Sequence, residues 1–333
     1  MSNRPWLSVL VPFYNVEAYL RESIESVLAQ DPDAIGGIEV ILCDDASPDG
    51  CAAIAAELAA RYPTRVAVVT HERNRGLSAA RNTLLAHARG RYVWLLDSDD
   101  VILPGSLHSL RLAVDTSPDL VLCDYRLLRQ NFGLRHRLRG ELHRSAFSGP
   151  SRGSSGVDRD TLVTGILESR QLHVWSKIAR REVWQRVHFP EGRTFEDMAV
   201  LGQLIAGVRT WTHVAQPWIG YRQRGGSIMA TMEARKTRDL LASLCELHAD
   251  LTSLPGGLGH EAELAIDYFN LRTFSSLARK VPKEDRVLEQ DCKQALRRLF
   301  PKGPGHALAV CRLRGWWLRA ARAQHSLVSR GWM

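Results

Sequence analysis

The stretch Gly90-Arg91-Tyr92-Val93-Trp94-Leu95-Leu96-Asp97-Ser98-Asp99-Asp100 constrains this chain more than any other. Its apolar run has the aromatic and β-branched make-up of a buried strand, and it ends abruptly in three carboxylates within four positions. Like charges this close repel unless a cation, a proton or solvent relieves them. Open α/β sheets place ligands at the carboxyl ends of their strands, so two readings stand open, a metal site or a solvated acidic turn.

The residues before it set the frame. Trp6 to Pro12 reads as a strand buried on both faces, and Tyr19, Leu20, Ile24, Val27 and Leu28 repeat at helical spacing. Ile38–Cys43 is a second strand ending in Asp44-Asp45-Ala46-Ser47-Pro48-Asp49-Gly50, where Ser47 and Pro48 suit an N-cap and a first helical position. Val66–Thr70 is a third strand, followed by an alanine-rich helix over Gly76–Ala88. This alternation implies right-handed crossovers and an α/β, mostly parallel, doubly wound sheet. Two of its strands end in acidic turns, so those turns can share one rim.

Several classes are excluded or disfavoured. No GxGxxG follows the first strand and no GxxxxGK[ST] occurs, which removes the dinucleotide and P-loop signatures. The six cysteines form no CxxC pair, which suits a reducing cytoplasm, and no apolar run approaches the ~18 residues of a membrane span. No signal-peptide pattern precedes the first strand. The net charge of +8 is concentrated: Cys292 to Met333 holds nine Lys or Arg and no acid, leaving 35 basic against 36 acidic residues before it. No groove-reading motif supports a nucleic-acid partner.

Ser8–Asn15, Cys43–Gly50, Asn74–Asn82 and Leu96–Asp100, in that order, resemble the motifs of family 2 glycosyltransferases. The resemblance is dense over about residues 6–110. It implies a GT-A fold and a metal-dependent, inverting, non-processive transferase of the bacterial type, using Mg²⁺ or Mn²⁺ and a nucleotide-diphosphate sugar, with a UDP-sugar favoured. By the same resemblance Asp99 is the main metal ligand, Asp97 and Ser98 lie near the ribose or sugar, Asp45 meets the base edge, and Pro12 and Tyr14 line the base pocket. Physical chemistry agrees with these roles, since a hard carboxylate suits a divalent ion and a phenol ring offers a stacking face. Arg81 either pairs with a carboxylate near the metal, on the donor side, or solvates its helix.

Further along, Trp175 and Lys177 resemble the family's Trp-x-Lys segment, and Glu196-Asp197 its Glu-Asp motif at the amino end of a helix. Asp197 is thereby expected as the base for the acceptor hydroxyl, with Glu196 behind it; a carboxylate that only complements the helix dipole is the bland alternative. Arg222 and Arg224 resemble a Tyr-Arg-x-Arg segment whose guanidinium forks suit a diphosphate. The Arg-rich segment 129–152 reads as a mobile basic hairpin or loop.

Three regions follow: a nucleotide-sugar-binding half over residues 1–115, an acceptor-binding half over 116–230, and a helical region over 231–333. In the last, Val310, Leu313, Trp317 and Ala320 are expected on one helical face with Arg312, Arg319 and Arg322 on another. Such a basic amphipathic helix fits an anionic membrane surface at the cytoplasmic face, or packing on the body or in a homo-oligomer. The acceptor stays open among saccharide, lipid-linked and small-molecule classes, in surface polysaccharide or glycoconjugate synthesis. A non-catalytic nucleotide-sugar-binding or assembly protein is the rival reading.

Overall fold

Seven consecutive buried residues, Leu7–Phe13, make β1 the central strand of the molecule. The computed structural model describes residues 4–30, 37–129, 133–223, 233–282 and 284–333. After β1 come α1 (Glu17–Leu28), β2 (Ile38–Asp44), α2 (Cys51–Arg61), β3 (Val66–Thr70), α3 (Leu77–His87) and β4 (Tyr92–Leu95). The order β3-β2-β1-β4 is parallel throughout. Each helix is the crossover that a parallel pair needs.

The sheet then changes character. β5 (Val101–Ile102), α4 (Ser106–Ala113), β6 (Leu120–Leu128), α5 (Leu134–Leu138), β7 (Ser155–Gly156), α6 (Arg159–Ser169), β8 (Lys177–Arg180), α7 (Arg181–Trp184), α8 (Glu196–Ala206) and β9 (Trp211–Arg222) follow. β8 inserts antiparallel between β4 and β6, β9 runs parallel to β6, and β5 and β7 pair with β9, giving nine strands among the described residues. Side chains of β1 alternate: Leu7, Val9, Val11 and Phe13 enter a core shared with α1, α2 and α4, while Leu10 enters one shared with α3, α6 and α8. The second core continues into α9 (Ala234–Thr252), α10 (His260–Ala278), α11 (Arg286–Leu299), α12 (Pro304–Leu313) and α13 (Trp317–Val328).

Three sequence expectations change. The Ser47-Pro48 helix start moves to Cys51, because carboxylates organise the turn better than Ser47 does. Asp44 Oδ1 accepts from Ser47 N (2.8 Å), Asp49 accepts from Glu17 N (2.9 Å) and Cys51 N (3.3 Å), and Glu17 accepts from Gly50 N (2.9 Å). The single tail helix is broken by Gly315, whose φ of +74° turns the chain between α12 and α13. Leu313 and Trp317 consequently stand exposed while Ala320 is buried, so no continuous amphipathic face runs from Val310 to Ala320.

The third change concerns the Arg-rich segment, which is pinned rather than a plain loop. Asp124 lies where the β6–β9 register shifts beside Pro217, a bulge that permits proline within a strand. Its fully buried carboxylate receives hydrogen bonds from Ser145 Oγ (2.9 Å), Ala146 N (2.9 Å), His143 (2.7 Å), His213 (2.9 Å) and Arg152 (3.1 Å). Gly153 N donates to His213 Nδ1, so the proton of His213 sits on Nε2 and points at Asp124. Arg129 is similarly tied to buried Glu141.

Burial raises the Asp124 pKa, but the hydrogen bonds from His213 and His143 outweigh it and bring it from 3.8 to about 2. A folded-state value below the unfolded one stabilises above the unfolded pKa, and that contribution disappears as pH falls from about 4 to about 2. Asp124→Asn should therefore lower stability by about 3–5 kcal/mol at pH 7, and the gap to wild type should narrow across that acid window. Urea unfolding midpoints at a series of pH values check this; a gap independent of pH would contradict it.

Candidate functional site

The carboxyl rim of β4, the start of α3 and the start of α8 meet around one side chain. Arg81, in the second turn of α3, is 1% exposed, and its guanidinium holds three carboxylates. Nη2 donates to Asp97 Oδ1 (2.9 Å), and Nη1 donates to both Glu196 Oε1 (2.9 Å) and Asp197 Oδ1 (2.8 Å). Its face lies over the Phe189 ring at 5.3 Å, and Phe189 is fixed by a reciprocal pair of 2.9 Å hydrogen bonds with Asn82. Burial would favour losing the Arg81 proton, but the attraction of Asp197, Asp97 and Glu196 prevails and keeps it charged. Of the two readings of Arg81, pairing with carboxylates is the one observed.

Local backbone geometry makes this possible. Phe195 adopts φ +63°, a left-handed conformation unusual for a bulky residue, and the helix that starts at once after it brings Glu196 and Asp197 to the same guanidinium. On the donor side Asp45 is buried, with Oδ1 accepting from His71 Nδ1 (2.7 Å) and Arg75 N (2.8 Å), and Oδ2 from Gly76 N (2.7 Å). Gly76 has φ +88°, so the turn that presents its N–H to Asp45 favours glycine. Three of the roughly four acceptor positions of this carboxylate are taken. Pro12 is buried at the end of β1, and Tyr14 beyond it is 45% exposed.

Asp97 is held above its ordinary pKa by desolvation, an effect that Arg81 partly offsets. Among the described residues only its Oδ1 accepts a hydrogen bond from a side chain. Ser98 is buried and Asp99 is half-buried. Asp100 is fully buried, accepts from Arg222 N (2.8 Å) through Oδ1, and has no partner at Oδ2 among the described residues. Desolvation first, then Asp97 and Asp99, push its pKa well up. Arg222, expected as a diphosphate fork, is occupied otherwise: it donates to the Asp99 carbonyl (2.9 Å) and to Glu22 (2.7 Å) and lies over Tyr19. It ties the acidic turn to α1. Arg224 lies outside the described residues.

No three His, Cys, Asp or Glu side chains come together as a metal-holding group among the described residues. Mg²⁺ and Mn²⁺ suit hard oxygen ligands, and Mg²⁺ usually takes one or two protein carboxylates beside phosphate oxygens and water. Asp97 and Asp99, at the end of β4, fit that donor set.

Lys177 is fully buried, and its ammonium donates to Gln171 O (3.0 Å), His173 O (2.9 Å) and Ser176 Oγ (3.1 Å). Desolvation brings its pKa down to about 8, against the opposing pull of Asp197. It thus holds the loop that carries Trp175, whose buried ring packs with His173, Tyr125 and Tyr221. His173 was not picked out from the sequence. Its ring stacks on Trp175 at 4.7 Å, and its Nδ1 lies 3.9 Å from Asp197 Oδ2. Glu196 is raised to about 7, first by desolvation and then by Asp197, with Arg81 opposing.

Beside Asp197 opens a pocket of about 420 Å³. His173, Glu196 and Asp197 form one wall; Leu240, Phe269 and Lys280, from the helical region, line it elsewhere. The half expected to bind the acceptor, residues 116–230, thus shares this pocket with residues of the 231–333 region.

Removing the guanidinium would leave Asp97, Glu196 and Asp197 crowded without a counter-charge. Arg81→Gln should cost about 3–5 kcal/mol, with Arg81→Lys between it and wild type because one ammonium cannot fork to three carboxylates. Denaturant unfolding checks this, and an unchanged midpoint in Arg81→Gln would refute the clamp.

Residues 8–167 match the family model described as Glycosyl transferase family 2. The minor teichoic acid biosynthesis protein GgaB of Bacillus subtilis is 30% identical over 244 residues, which are 69% of this chain and 24% of GgaB. The chain spans less than half the length of the first relatives it matches. S. aureus TarS 1-349, crystallised with UDP-GlcNAc, superposes with a TM-score of 0.71 at 20% identity over 97% of this chain and 88% of that one. The mannosyltransferase PcManGT of Pyrobaculum calidifontis, in complex with GDP-Man and Mn²⁺, gives 0.54 at 18% identity over 99% and 88%. The sheet order and these superpositions establish the GT-A-type fold that the motifs implied, followed by a helical C-terminal region.

Proposed function

We propose that this chain, whose residues 8–167 match the model of glycosyl transferase family 2, moves one sugar, with inversion, from a nucleotide-diphosphate sugar to an acceptor hydroxyl in surface polysaccharide or glycoconjugate synthesis. The observation that carries this reading is the Arg81 clamp, which ties the acidic turn after β4 to the Glu-Asp pair of α8. A single displacement needs the donor and the hydroxyl's base in fixed relation, and positioning of this kind supplies much of the rate.

In this reading residues 1–115 bind the donor. Tyr14 stacks on the base, Pro12 walls the pocket, and the remaining acceptor position of Asp45 takes a ring N–H. A UDP-sugar is favoured, in keeping with the UDP-GlcNAc bound by TarS. Asp99, with Asp97 and Ser98 beside it, would hold Mg²⁺ or Mn²⁺ against the diphosphate. Such an ion supplies Lewis-acid neutralisation of the leaving group. The diphosphate role once given to Arg222 passes to Arg224 by resemblance alone.

Asp197 takes the proton from the acceptor hydroxyl. Arg81 holds its Oδ1, leaving Oδ2 beside the pocket wall formed by His173. Glu196 stands behind it, sharing the same guanidinium. Trp175 and Lys177 keep the His173 loop in place, and residues 116–230 with the helical region 231–333 enclose the acceptor. None of the six cysteines is in a disulfide, in keeping with a cytoplasmic enzyme. No helix among the described residues is long and apolar enough to cross a membrane.

A thermal-shift panel of UDP-, GDP-, dTDP- and CDP-sugars, with and without Mn²⁺, should give a Mn²⁺-dependent rise with UDP-sugars, about 2.7 kcal/mol of linkage at a hundredfold excess over Kd. Asp99→Ala should abolish that dependence. Asp197→Ala should keep donor binding while lowering transfer by about 10²–10⁴-fold. Near-full transfer by both variants would defeat the assignment, and donor binding without transfer by wild type would favour the non-catalytic rival.

A further inference from the structure

On the next face of α10 from the acceptor pocket lies a second cleft, of about 340 Å³, that no sugar-transfer role absorbs. Arg272 of α10, Arg279 just past its end, and Arg319 and Arg322 of α13 line it, with Tyr268 and Ser275. Positions 272 and 279 are seven apart and share a face, as do 319 and 322 at a spacing of three. Arg319 lies over the rings of Tyr268 (5.5 Å) and Trp316 (5.3 Å), which fixes its place at the wall. Among the described residues no carboxylate pairs with any of the four. The local field is felt nearby: Arg170, in the acceptor pocket, is depressed by burial first and by Arg272 next.

The cleft and the acceptor pocket are neighbours. Ser276 lines both, and Lys280 extends the positive wall into the pocket. The faces of one helix separate the cations from Asp197 by on the order of 10 Å, the diameter of a helix with its side chains. A ligand lying across α10 would thus place an anionic group among four guanidinium forks and a hydroxyl group beside the base. Guanidinium forks match phosphate oxygens bidentately, and four of them suit a group of two or more negative charges.

We propose that this cleft is a phosphate subsite for the acceptor, so that the enzyme glycosylates a phosphate-bearing molecule whose phosphate rests on Arg272, Arg279, Arg319 and Arg322. The acceptor role rests on the function proposed above; the anion site does not. It also gives the basic tail a task within the molecule, on α13, in place of a separate amphipathic helix.

The full chain, kept in EDTA, is titrated calorimetrically with inorganic tripolyphosphate. The expected result is binding that Arg272→Gln/Arg322→Gln weakens at least tenfold and that Arg286→Gln, exposed on α11, leaves unchanged. Hydrogen exchange should slow over His260–Ala278 and Trp317–Val328 when tripolyphosphate is added. Equal affinity in wild type and the double variant, or protection confined to the turn after β4, overturns the proposal. Flotation with phosphatidylglycerol vesicles separates the sources: a double variant that loses vesicle binding yet keeps tripolyphosphate makes the surface a lipid contact and also overturns it. Neither readout needs turnover. A chain that binds tripolyphosphate here but transfers no sugar would sink the transferase reading and its acceptor role, leaving the anion site standing.

Discussion

The site depends on one buried guanidinium. Among the described residues Arg81 is the one cation that Asp97, Glu196 and Asp197 share, and it joins the end of β4 to α8, more than a hundred residues further along the chain. An arginine buried this deeply is costly unless its charge is met, and three carboxylates at 2.8–2.9 Å meet it. The same contacts dock α8 onto the rim of the parallel sheet. Folding and the proposed catalytic arrangement therefore share one interaction.

Around this centre, backbone groups do much of the positioning. Asp45 collects two backbone N–H groups and His71, which shapes the turn leading into α3, the helix that carries Arg81. Asp100 fixes the end of β9 through Arg222 N, and Lys177 draws three oxygens of the His173 loop under the site. Asp45 and Asp100 are satisfied by groups distant in sequence and Lys177 by its own loop, so tertiary and local bonds together fix the rim. The pocket beside Asp197 is softer in chemistry: Leu240 of α9 and Phe269 and Leu277 of α10 line it together with the carboxylates, and the arginine-lined cleft between α10 and α13 lies next to it.

Much of the fold was legible in order. The unbroken apolar character of Leu7–Phe13 and the helical spacing of Leu20, Ile24 and Val27 made the parallel half readable, because each element there is complete within a short window. The insertion of β8 between β4 and β6 was not, since four residues paired antiparallel carry no distinctive pattern. The break at Gly315 was overlooked because Val310, Leu313, Trp317 and Ala320 keep helical spacing across it. The Arg-rich segment looked loose because its anchor, Asp124, lies on a strand well before it.

The sequence by itself determined the chemistry available: acidic groups at the ends of strands, a Glu-Asp pair opening a helix, and no phosphate-binding glycine motif, all properties of residue type and local spacing. The tertiary structure decided which of those groups meet. Whether Arg81 faced solvent or carboxylates, whether Arg222 faced a ligand or Glu22, and whether the helical region helped line the pocket beside Asp197 all turned on packing between segments up to two hundred residues apart. Local spacing carries no information about such distances; only the closure of the sheet and its two cores supplies it.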